Sequence, residues 1–159
     1  MANTCFVTIS ITPQEKSSVG ALGEHFSRLL QRSKDAGHGA DLGMADKYLF
    51  EGHINVLDDQ ITISGDVRWC LGDEAAIELL YHVAPYMPES VTIAEEGGDW
   101  ATRYSYHKDA GIIRETLPPS SDYWDNSEVN DFSPWDAPES AFKTSAIQMP
   151  VVLKNLLSW

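Results

Sequence analysis

Apolar and polar side chains alternate at the start of the chain. Cys5, Val7, Ile9 and Ile11 fall on one face at a period of two, which predicts a β-strand over residues 4–11. Thr12-Pro13-Gln14-Glu15 then has the form of a capping box, with Pro at the first helical position and Glu three residues after the cap. The helix expected to follow carries Val19, Leu22, Phe26, Leu29 and Leu30 on one stripe, and Gly37 and Gly39 end it. Gly20 and Gly23 each weaken such a helix by about 1 kcal/mol relative to Ala, so they mark a close crossing over a strand. Residues 40–45 read as a loop, and residues 48–57 and 61–71 as two strands hinged on Asp58-Asp59-Gln60. Ile61, Ile63, Val67 and Trp69 share the expected inward face of the second of these strands. Gly72-Asp73 caps a second helix, which points Ala76, Leu79, Leu80 and Val83 inward before Pro85 stops it. Three more strands, 91–95, 100–107 and 112–116, are separated by Glu96-Gly-Gly-Asp99 and Lys108-Asp-Ala-Gly111, both turn sequences.

The first six elements run strand, helix, strand, strand, helix, strand. That is the order of a ferredoxin-like split-βαβ unit, an α+β fold in which an antiparallel sheet carries both helices on one face. Gly65-Asp-Val-Arg-Trp69 at the end of the hairpin, Glu74-Ala75 opening the second helix and Gly98-Asp-Trp-Ala101 before a Tyr-rich strand resemble small ferredoxin-like proteins of phages and mobile elements, the Api92-like group among them. The resemblance spans residues 4–116 and carries over no functional residue. The expected organisation is a core over residues 1–116 and an acidic-aromatic extension over residues 117–159.

Composition narrows the function. In 159 residues, 43% are hydrophobic and 22% charged, as in an ordinary globular domain, but 11 Lys+Arg face 24 Asp+Glu for a net charge of −13. Such a balance argues against direct binding to nucleic acid or anionic membranes, and points to a neutral or basic protein surface. No apolar run is long enough for a bilayer span, and the first residues lack the basic stretch of a signal peptide, so a cytoplasmic location is expected. Cys5 and Cys70 lack C-x-x-C spacing and read as buried thiols.

From Glu115 to Phe142 there are seven acids, no Lys or Arg, and four prolines. Little regular structure is expected there, yet Tyr123, Trp124, Phe132 and Trp135 are interspersed with the acids, as in a segment that packs on something. The last residues can form a short helix with Val152, Leu153, Leu156 and Leu157 on one side. The five histidines show no metal-ligand spacing, and serine-nucleophile and phosphate-loop motifs are absent, so no catalytic residue, metal or cofactor is assigned. The expected partner-binding set is Glu95, Glu96, Asp99, Asp122, Tyr123, Trp124, Asp125, Asp131, Phe132 and Trp135. It defines an acidic, non-enzymatic inhibitor of the anti-defence or immunity kind, which occupies a basic, nucleic-acid-binding surface of a target protein. Two alternatives stand beside it. One is a small metal-dependent hydrolase using His53, Glu51 and neighbouring acids such as Asp66 on the open sheet face. In the other, residues 117–159 complete the fold; an uncovered sheet face can also pair with a second copy of the chain.

Overall fold

The computed structural model of the protein describes residues 4–126 and 133–158. The first strand, β1 (Thr4–Pro13), leads through a short 3-10 turn into α1 (Val19–Ala36). The strands β2 (Ala40–Met44), β3 (Lys47–Val56) and β4 (Ile61–Arg68) follow, then α2 (Gly72–Val83). The strands β5 (Pro88–Glu96), β6 (Ala101–His107) and β7 (Gly111–Leu117) precede three 3-10 turns, β8 (Lys143–Ile147) and α3 (Val151–Leu156). The eight strands form one open sheet in the order β2-β3-β4-β1-β5-β6-β7-β8, with every neighbouring pair antiparallel.

Alternation on β1 decides where the core lies. Val7, Ile9 and Ile11 are fully buried, while Phe6, Thr8, Ser10 and Thr12 on the opposite face stay partly or well exposed. The register carries the buried face into Ile63 and Val67 of β4 and into Val91 and Ile93 of β5. Leu22 and Phe26 of α1, Leu79, Leu80 and Val83 of α2, and Leu153 of α3 pack on that face in one core. Among the described residues the opposite face carries no α-helix.

Several expectations are corrected here. The capping box at Thr12 does not form: Thr12 and Pro13 pair with β5, Gln14 donates its amide to Met87, and α1 begins at Val19 without a side-chain cap. Sheet pairing has taken the residues that local chemistry would assign to the helix start. Likewise α2 starts at Gly72 with Leu71 as its uncapped N-cap, because the Asp73 carboxylate is drawn to Arg114 instead. Residues 40–44 are a strand, joined to β3 by Ala45 and Asp46, both at positive φ, as in the two-residue turns that match strand twist. Trp69 does not share the inward face of Ile63 and Val67. Its φ of 64° ends the strand and leaves the residue 60% exposed. Of the cysteines, Cys5 is buried and Cys70 exposed. The second strand of the hairpin ends at Arg68 and not at the expected Leu71, because the backbone turns at Trp69, whereas Gly37 closes α1 in the left-handed conformation, as the sequence predicts.

Residues after Leu117 contribute to the same sheet and core. β8 pairs along β7, and the last helix buries Leu153 and Leu157, not the whole set of four: Val152 and Leu156 are 63% and 44% exposed. Leu153→Ala should therefore cost about 3 kcal/mol of unfolding free energy in urea titration, whereas Val152→Ala should change it by about 0.5 kcal/mol or less. Equal effects would mean that α3 does not dock as described.

Candidate functional site

The segment after β7 folds back against the helix-free face. Arg103 of β6 forms a 3.0 Å ion pair with Glu115 of β7, and its guanidinium lies 5.1 Å from the centre of the Trp135 ring. Trp135 stacks on Phe142 with ring centres 6.2 Å apart and donates its indole N–H to Glu96 Oε1 at 2.7 Å. Ser133 caps this 3-10 turn by accepting from the Trp135 amide, and Pro134 beneath it is buried. Tyr123 donates its hydroxyl to the Ser133 carbonyl at 2.7 Å, and the Trp124 indole N–H donates to the Pro118 carbonyl at 2.8 Å. These polar and stacking contacts hold the segment, with Tyr123, Trp124 and Trp135 bonded to the chain's own backbone and sheet.

The expected partner-binding residues are placed differently from one another. Asp99 and Asp122 are exposed, and Glu96, Tyr123, Trp124 and Trp135 are partly buried in the contacts just described. Asp125 lies in the 3-10 turn Asp122–Asn126, and Asp131 and Phe132 lie outside the described residues. Glu95 behaves differently. It lies within β5, opposite Val7 of β1 and Thr102 of β6, and only 1% of its surface is exposed, so it is closed to a partner. The period-two run Val91, Ile93, Glu95 carries that signal: the carboxylate continues the inward face of the strand.

Glu95 Oε2 accepts the Leu71 amide at 2.9 Å, which secures the turn between β4 and α2. Cys5 Sγ–H donates to the Trp69 carbonyl in the same turn. Together these bonds hold a connection whose Trp69 and Gly72 are both left-handed. Burial pushes the Glu95 carboxyl up to about 7 against the pull of the Leu71 amide and Lys47. Burial, and then the Glu95 charge, also push the Cys5 thiol up to about 11. Glu95 lines a cleft of about 540 Å³ whose other walls include Trp100, Thr102, Tyr104, Arg114 and Lys143. Burial, followed by the Glu95 and Asp73 charges, raises the Tyr104 hydroxyl as well. Asp73 is bound through both oxygens by Arg114 Nη1 at 2.7 Å.

A larger cleft, of about 1040 Å³, lies between the C-terminal half of α1 and β3. It contains Glu51, His53 and Asp66, the acid and imidazole groups named for a hydrolase. A bulge between Phe50 and His53, with Glu51 at a φ of 52°, sets Glu51 outside the regular alternation. Glu51 and His53 are exposed. Among the described residues no group of three His, Cys, Asp or Glu side chains is placed to hold a metal ion, and no helix is long and apolar enough to cross a membrane. No protein-family model, curated protein or solved structure matches the chain.

Glu95 makes stability depend on pH in a defined direction. Its folded-state pKa of about 7 lies above the ordinary 4.5, so the folded chain holds the proton more tightly than the unfolded one. The stabilisation is complete below the ordinary value, declines as pH rises to about 7, and is level above that. Its size is at most about 3 kcal/mol. Urea unfolding at pH 5 and pH 8 should show this loss in the wild type and a much smaller one in Glu95→Gln. Parallel behaviour of the two proteins would contradict the assignment.

Proposed function

We propose that the protein is a cytoplasmic, acidic, non-enzymatic binding protein, an inhibitor of the anti-defence or immunity kind that covers a basic, nucleic-acid-binding surface of a target protein. The fold proposed for it is ferredoxin-like: β1, β3, β4 and β5 are the four strands of the split-βαβ order, and they lie side by side as β3-β4-β1-β5. One observation carries the functional reading. Exposed acids at Asp122, Asp136 and Glu139 ride on a segment that Trp135 pins to the sheet, in a chain of net charge −13. An array of carboxylates in fixed positions imitates the charge of a nucleic-acid backbone better than a loose acidic tail, because less ordering entropy is lost when the partner docks. The aromatics hold the array in place, and the acids meet the partner.

A hydrolase is the second reading, favoured by the cleft that contains Glu51, His53 and Asp66. It predicts stoichiometric metal in the purified protein, read by elemental analysis; a metal-free protein contradicts it.

Affinity capture from a host-cell lysate at low and high salt tests the first reading. One basic protein should be retained at low salt and shed at high salt. Changing both Asp122 and Asp125 to Lys should slow association with that protein and flatten its salt dependence, while Trp135→Ala should weaken the complex by releasing the segment. Wild-type binding by both variants would remove the segment from the interface.

A further inference from the structure

On the face away from the helices, one row of residues crosses four adjacent strands: Phe50 on β3, Asp66 on β4, Phe6 on β1 and Glu96 on β5. Strands are spaced by about 4.8 Å, so the two Phe positions stand roughly 10 Å apart with a carboxylate between them. At both ends of the row an arginine already lies over an aromatic ring. The Arg68 guanidinium is 5.9 Å from the centre of Phe50, and Arg103 is 5.1 Å from the centre of Trp135, whose indole is bonded to Glu96. Phe6, in the middle, is 48% exposed and has no guanidinium over it among the described residues. Its two cross-strand neighbours are both acids. Asp66 forms no ion pair among the described residues, and Glu96 has only Oε1 engaged by Trp135.

We propose that Phe6, flanked by Asp66 and Glu96, is the seat for an arginine side chain of a basic protein partner. The inference deepens the preceding reading and rests on it, by placing the first anchor of the complex on the sheet itself. An arginine suits the seat better than a lysine. Its planar guanidinium can stack on the Phe6 ring while its edge N–H groups reach carboxylates on either side, about 5 Å away across the strands. Phe50 and Asp66 at one end of the row also line the cleft of about 1040 Å³.

The test uses the full chain, with a capped hexa-arginine peptide and a capped hexa-lysine peptide as probes at low salt. Binding is followed by calorimetry and by backbone amide NMR shifts. Hexa-arginine should bind more tightly than hexa-lysine, with the largest shifts at Phe6, Asp66 and Glu96. Asp66→Asn and Phe6→Leu should each weaken it about fivefold, the second because leucine keeps apolar area and loses the ring. Asp58→Asn, an equal loss of charge at the far hairpin, should change it by less than about twofold. Equal affinity for the two peptides, or equal effects of Asp66→Asn and Asp58→Asn, would overturn the seat. If hexa-arginine binds with its shifts confined to residues 118–142, the seat fails and the charge-led reading stands; if neither peptide binds, both fail.

Discussion

β1 is hydrogen-bonded along both of its edges, to β4 on one side and β5 on the other, and its buried face joins the one core that also takes in side chains of α1, α2 and α3. Burial on that one face leaves the opposite face of the sheet to be covered by something else. Hydroxyl side chains there, Thr8 and Ser10 on β1, Thr62 and Ser64 on β4, Thr92 on β5, keep that part of the face compatible with water. At the end where β1 begins, the character changes to aromatic and acidic. There the chain lays its own segment over part of the face through Trp135 and Phe142, and leaves Phe6 open.

The same end of the sheet holds the connection between β4 and α2. A left-handed non-glycine residue costs free energy, and Trp69 adopts that conformation because Cys5 and Glu95 grip the turn from the buried side. Glu95 does this at the expense of burying an ionisable group, which ties the integrity of this corner to pH. The support of the turn and the proposed interface therefore lie within a few residues of each other: the acid read as an interface residue holds the turn, and the half-buried acids on either side of Phe6 lie on the face proposed for the partner.

Alternation made most of this legible. Cys5 to Ile11, Ile61 to Val67 and Val91 to Ile93 specify inward faces, and glycine at position 37 marks a helix end that the chain does adopt. What remained hidden has physical causes. β8 reads Lys-Thr-Ser-Ala-Ile, with all but the last residue exposed, so an edge strand held by backbone bonds to β7 shows no apolar period. β2 has Ala40, Leu42 and Met44 at period two, but Asp41 and Gly43 between them look like a turn. Trp69 continues the parity of Val67 on paper, and only its backbone conformation turns it out. The aromatics of the acidic segment were legible as packing residues; that Trp135 packs on the chain itself, through Glu96 and Arg103, depends on a register between distant strands.

Partner binding is proposed to use the acidic, helix-free side of the sheet at the end where β1 begins. Hydrogen–deuterium exchange of the full chain, alone and with the basic protein it retains at low salt, tests this most directly. Added protection is expected in the first half of β1, in the C-terminal ends of β4 and β5, and in residues 118–142. Protection concentrated instead on α1 and α2, with those strands unchanged, would contradict it.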